Sequence, residues 1–168
     1  MNTKRILTVM LMLIVITGNL IGKTKKELVL EYNPKANASK IVFLCNKYEK
    51  EFHLKEDTLL ALIAVESSFR NITNGKSLGY VQMQMPTLLD MNTYYKVNKV
   101  TNKSQFMTSL ENQIYYAGLH LQYLNTIIKS EKGSFLAYNV GLGAFKKGKY
   151  NIKYYNKIIK ARNKFNRV

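Results

Sequence analysis

In 168 residues this chain has no tryptophan, one cysteine, two histidines and ten acidic residues. Each shortage excludes something. Cys45 alone can close no intrachain disulfide, even in an oxidising compartment, and no cysteine follows the N-terminal apolar run to carry a lipid. It reads as a small buried residue on an apolar helix face. His53 and His120 are far apart and neither sits in a ligand motif such as His-Glu-x-x-His, so they read as structural or surface residues. No metal and no other cofactor is assigned. Ser67 and Ser68 lack a Gly-x-Ser-x-Gly elbow, which argues against a serine hydrolase. Gly141-Leu142-Gly143 lacks the surroundings of a phosphate-binding loop. Internal repeats, low-complexity tracts and strand-like alternation are also missing.

Against the ten acidic residues stand 26 basic ones, a formal net charge of +16. The partners are therefore expected to be anionic: nucleic acid, a membrane surface or a bacterial wall. Lys4 and Arg5 precede an apolar run from Ile6 to Ile16, the pattern of a secretory signal. The run is short against the roughly 20 residues of a membrane span. Residues 1–22 are read as a signal peptide or N-terminal membrane anchor, and the protein as exported to the periplasm or cell envelope. Removing them takes away Lys4 and Arg5 and leaves +14, so the basic character belongs to the domain itself. From Lys132 onward there are ten basic residues and no acidic one, which suggests attraction to an anionic wall or membrane surface, or simply a solvated basic face. An export signal and the absence of a recognisable binding motif argue against nucleic acid.

The chain length suits one compact domain. Residues 23–38, with Pro34, lysines and asparagines, read as a linker. From Ser39, taken as N-cap, Ile41, Leu44, Cys45, Tyr48 and Phe52 fall on one helical face. A second helix starts near Asp57-Thr58 and is apolar all round, the mark of a core helix. A polar loop follows Phe69, and Pro86 opens a short helix. One long helix is predicted from Ser104 to Lys129, with Gly118 marking a close helix contact. A short helix spans Ser134–Asn139, and the last carries Tyr154, Ile158, Ala161 and Phe165 on one face. The fold class is mainly α.

Glu66 ends a run of seven apolar residues, Leu59 to Val65. Burial disfavours its charge, and the negative end of the helix acts in the same direction, so its pKa is expected to rise. A carboxyl still protonated near neutrality can donate to a glycosidic oxygen. The residues alone also admit an ordinary glutamate at an exposed helix end.

Several short segments, in order, carry more information. They are Glu66-Ser67-Ser68-Phe69, Gly79-Tyr80-Val81-Gln82, Pro86-Thr87, then Asn112 with Ala117-Gly118 and Leu121 to Leu124, and finally Ala137-Tyr138-Asn139-Val140-Gly141. Together they resemble the soluble lytic transglycosylase (SLT) domain, family 1, from about Ser39 to Tyr155. Within 39–168 that resemblance implies a lysozyme-like α fold with a cleft for peptidoglycan glycan strands, in a protein read as a monomer. It implies that Glu66 is the sole catalytic acid/base and that Ser67 orients it or the substrate. It implies further that Gly79 lets the backbone approach the sugar, that Gln82 contacts it, and that Tyr138, beside Asn139, sits close to the carboxylate. The family's Leu-Met is Tyr80-Val81 here and its Met-Pro comes one residue late, as Met85-Pro86, so the loop at Met83, Gln84 and Met85 is expected to differ in shape.

The implied reaction fits the shortage of acids. Ordinary glycosidases flank the bond with two carboxylates, whereas substrate-assisted ones use a single acid and a group on the sugar. After Glu66 only Asp90, Glu111 and Glu131 remain, none in a second-carboxylate motif. The implied product is a 1,6-anhydro-muramoyl end made without water. A hydrolytic muramidase on the same fold and a wall-binding module with an idle Glu66 remain open. Without tryptophan, sugar stacking falls to the 12 tyrosines and 7 phenylalanines.

Overall fold

The computed structural model describes residues 22–168, which form a mainly α domain with nine helices and a small sheet among the described residues. The expected export segment, residues 1–22, lies outside the described residues except for Gly22. No helix among the described residues is long and apolar enough to cross a membrane.

The segment read as a linker contains helix α1, Lys25–Tyr32. A capping box starts it: the Thr24 hydroxyl accepts from the Glu27 amide at 3.3 Å, and the Glu27 carboxylate accepts from the Thr24 amide at 2.7 Å. Leu28 and Val29 are buried in the core, and the Tyr32 ring packs edge-on against Phe69 at 5.5 Å. Two buried apolar residues in a lysine-rich stretch leave little periodic signal.

Helix α2, Ala38–Glu51, buries Ile41, Leu44, Cys45 and Tyr48, the face the spacing predicts. Its N-cap is Asn37, not Ser39: the Asn37 side chain accepts from the Lys40 amide at 3.2 Å. Helix α3, Thr58–Ser67, runs through the centre, with Leu59 to Ile63 fully buried. No side chain of its own caps its start. Glu49 of α2 does so instead, its carboxylate accepting from the backbone amides of Asp57 at 3.0 Å and Leu59 at 2.7 Å. Burial pushes this carboxyl up to about 7 despite the opposing pull of the two amides.

After α3 comes a sheet that the sequence did not announce. Strands β1 (Thr73–Asn74), β2 (Ser77–Leu78) and β3 (Met83–Gln84) are antiparallel in the order β1-β2-β3, with Thr73 opposite Leu78 and Leu78 opposite Met83. Strands two residues long have no room to show alternation. Helix α4, Met85–Tyr95, has Pro86 in its first turn.

The predicted long helix is two: α5, Lys103–Thr108, and α6, Leu110–Ile128. Ser109 between them is extended at φ −118° and ψ 102°, and its hydroxyl caps α6 by accepting from the Asn112 amide at 3.1 Å. The apolar period continues across the break, so spacing alone does not reveal it. Gly118 does mark a close contact, with a ring from the end of α2: a Cβ there would lie 2.5 Å from Cδ2 of Phe52. Helices α7 (Glu131–Val140) and α8 (Leu142–Lys146) lead to α9, Ile152–Phe165. Helix α9 lies along α3, burying Tyr154, Ile158, Ala161 and Phe165.

Candidate active site

Helix α3 carries Glu66 from the apolar core out to the floor of a cleft of about 540 Å³. The helix cannot simply run on into solvent. Ser68 and Phe69 both take left-handed conformations, at φ +51° and +57°. Side chains with a Cβ rarely adopt that region, and two in succession turn the chain sharply behind the glutamate. Packing holds the turn: Phe69 is fully buried and its carbonyl accepts from the Asn33 amide group at 2.7 Å.

Glu66 is half-buried, and burial pushes its carboxyl up to about 7. A single hydrogen bond opposes that shift: the Tyr154 hydroxyl of α9 donates to Glu66 Oε1 at 2.5 Å. The result is a carboxyl whose two protonation states lie close in free energy near neutrality. Burial and the charge on Glu66 in turn hold the Tyr154 phenol well above its ordinary range, so it stays a donor.

Tyr138, from α7, lines the same cleft. Its hydroxyl donates to the Val81 carbonyl at 2.9 Å, pinning the loop that bears Gln82, and burial followed by the Glu66 charge raises its pKa well above the usual value. Asn139 is exposed on the cleft wall. Gln82 also lines the cleft, yet its amide nitrogen is engaged within the loop, donating to the carbonyls of Gly79 at 2.7 Å and Ile72 at 3.1 Å. Its backbone is left-handed at φ +49°.

Ser67 and Gly79 stand behind the cleft and do not line it. The Ser67 hydroxyl donates to the Tyr80 carbonyl at 2.7 Å, which ties the end of α3 to the glutamine-bearing loop. Gly79 is left-handed at φ +76°, and a Cβ there would lie 2.1 Å from Oε1 of Gln113. The room that the glycine leaves on its Cβ side is filled by this fully buried side chain. Gln113 accepts from the Tyr80 amide at 2.7 Å and donates to the Phe106 carbonyl at 3.1 Å, joining the loop to α5 and α6. Both positions therefore shape the site through the loop.

Sequence reasoning missed several residues of this site, three of which bear directly on its chemistry. Tyr154 reads as one more apolar position on the last helix, and its 88-residue separation from Glu66 gives no local clue. His120 reads as structural, but its ring lines the cleft. Asp90, the third, is exposed on the cleft wall. The remaining two carboxylates after Glu66 are engaged elsewhere, Glu111 with Lys47 at 2.9 Å and Tyr48 at 2.8 Å, and Glu131 with Arg162 and Lys55. Among the described residues no three His, Cys, Asp or Glu side chains gather as a metal site would require.

Comparison with known proteins decides the family. The model of the transglycosylase SLT domain matches residues 43–161, the greater part of the chain. The chain belongs to that family. Among solved structures this SLT domain is similar to the lytic transglycosylase Slt of Pseudomonas aeruginosa, determined as an inactive glutamate-to-glutamine mutant. The TM-score is 0.57 at 16% identity, over 77% of this chain and 22% of that one. The SLT domain described here thus spans about a fifth of that protein's length, and at this identity the likeness speaks for the fold: mainly α and lysozyme-like. No curated protein matches the sequence.

Proposed function

We propose that this SLT domain is an exported peptidoglycan lytic transglycosylase that cleaves the MurNAc-GlcNAc β-1,4 bond and leaves a 1,6-anhydro-muramoyl end, with Glu66 as its one acid and base. The observation that carries the proposal is the Glu66 carboxyl lining the cleft, held at about 7 by burial against the opposing 2.5 Å bond from Tyr154. A group that gives a proton and later takes one is best poised near the working pH.

Protonated Glu66 gives its proton to the glycosidic oxygen. The bond from that oxygen to the anomeric carbon breaks as the carbonyl oxygen of the muramoyl acetamido group bonds to the same carbon. Glu66, now a carboxylate, takes the proton of the C6 hydroxyl. The C6 oxygen bonds to the anomeric carbon and displaces the carbonyl oxygen, so the ring closes and the acetamido group is restored. No water is consumed, and Glu66 ends as it began. Tyr154 donates to the carboxylate that exists between the two halves.

Asp90 on the cleft wall favours one second reading, a hydrolytic muramidase with two carboxylates. Mass spectrometry of products from purified peptidoglycan separates the readings. Anhydro-muramoyl ends are expected from the wild type and none from Glu66→Gln, which keeps the size of the side chain but can neither donate nor accept the proton; the expected loss is at least ~10⁴-fold. Asp90→Asn should retain most activity. Reducing ends, together with loss of activity in Asp90→Asn, would establish the hydrolase instead. A wild type that yields no product would leave a wall-binding module.

A further inference from the structure

The cleft holds one polar ring that the mechanism does not use. His120 of α6 is only 9% exposed, and none of the described side chains or backbone groups hydrogen-bonds to it. Its Nδ1 is sealed from solvent without a partner. Rings close it in: Tyr138 lies at 5.1 Å, tilted by 40°, and Tyr123 at 6.4 Å, nearly parallel at 25°. The opening left is the cleft itself, which His120 lines with Glu66, Tyr123, Tyr138 and Met91. A buried polar side chain without a protein partner is costly unless something else satisfies it.

Two physical points fix what this ring offers. Burial pushes the imidazole down to about 4, so it is neutral wherever Glu66 can cycle its proton. A charged imidazole lining the same cleft as Glu66 would draw that carboxyl down, so a neutral ring is the state compatible with the chemistry. Neutral imidazole carries one N–H. An N–H on sealed Nδ1 would have no acceptor, and Nε2 is not among the sealed, unpartnered atoms, so the proton is assigned to Nε2. The site is thus a single neutral donor set between aromatic faces. That combination suits an uncharged carbonyl oxygen attached to a small apolar group.

From this geometry we infer that His120 is a specificity-determining residue: its Nε2–H donates to the acetamido carbonyl oxygen of an N-acetylated sugar in the cleft, whose methyl packs on the Tyr123 and Tyr138 rings. The inference deepens the transglycosylase reading and rests on it for the substrate class, but it concerns binding and is testable without turnover.

The probes are oligomers of N-acetylglucosamine and their de-N-acetylated counterparts, titrated by calorimetry into the full chain carrying Glu66→Gln. The acetylated oligomer is expected to bind better, and His120→Phe, which keeps a ring but removes the N–H, should cut that preference about tenfold. His120→Gln, which can place an amide N–H near the same point, should restore a large part of it. A preference unchanged in His120→Phe overturns the inference, as does failure of the acetylated oligomer to bind the parent protein at millimolar concentration. Nitrogen-15 NMR of the unmutated ring gives a test independent of any variant's folding. The proton is expected on Nε2, and its resonance should move when the acetylated oligomer is added. A proton on Nδ1, or a resonance indifferent to the oligomer, overturns the assignment. Product analysis on peptidoglycan remains a separate measurement, so anhydro ends with no acetamido dependence would leave the reaction standing and remove the role of His120.

Discussion

At the scale of single residues, the site is a balance of two opposing effects on one carboxyl. Burial raises Glu66 and the Tyr154 hydroxyl lowers it. Removing that hydroxyl in Tyr154→Phe leaves burial unopposed, so the Glu66 pKa should climb further. The first step needs protonated Glu66, and the alkaline limb of cleavage, placed near 7 in the wild type, should move to higher pH in the variant. A limb that stays in place would mean Tyr154 does not act on the acid. Stability carries the same signature. A carboxyl held at about 7 in the fold against 4.5 when free favours folding only while protonated, so its contribution is full below 4.5 and is lost as pH rises through 7. Glu66→Gln should therefore match the wild type in Tm near pH 4 and exceed it increasingly toward pH 8. The motif residues Glu66, Gln82, Tyr138 and Asn139 can be placed from sequence because each sits in a short local pattern, and the fold gathers them on one cleft. Tyr154 and His120 have no such pattern. Each lies on the buried face of its helix, where a polar tip aimed at the site looks like one more core position.

At the scale of elements, helix faces were readable and helix ends much less so. The buried sides of α2 and α9 follow the apolar spacing closely. Ends depend on single hydrogen bonds: Thr24 with Glu27 opens a helix inside an apparent linker, and Ser109 splits one helix in two. Asp57-Thr58 ahead of an apolar run marks the start of α3, but its cap cannot be found locally, because that cap, Glu49, comes from the preceding helix. Packing across elements produces a further expectation at Gly118. Alanine there would gain about 1 kcal/mol of helix propensity. Its Cβ would also sit 2.5 Å from Cδ2 of Phe52, a ring enclosed by Tyr48 at 6.0 Å and Tyr115 at 5.4 Å. Overpacking of this kind costs about 1–3 kcal/mol, so Gly118→Ala should be destabilised on balance in urea unfolding. If alanine instead stabilises the protein, the Phe52 ring yields freely and α2 and α6 are not locked there.

At the scale of the whole molecule, the surplus of positive charge is spread over more than one face. Lys157, Lys160, Lys164 and Arg167 line a groove on α9, whereas Lys146, Lys147 and Lys149 are exposed at the end of α8 and just beyond it, and Leu142 and Gly143 of that helix form part of the cleft wall. Charge near the cleft mouth cannot take part in breaking the bond, but it can raise the rate at which an anionic polymer arrives. Such steering acts over the Debye length, about 10 Å at 0.1 M salt, and shrinks as salt is added. Reversing Lys146, Lys147 and Lys149 to Glu should therefore slow release of soluble fragments from intact wall, strongly at low ionic strength and little at high. Reversing Lys157 and Lys160, which face the other groove, should slow it less. A short uncharged glycan offers nothing for the lysines to attract, so its cleavage should be the same in all three proteins at every salt concentration. If the triple reversal slows that short glycan by the same factor throughout, the lysines shape the cleft itself, and long-range attraction to the wall is not their role.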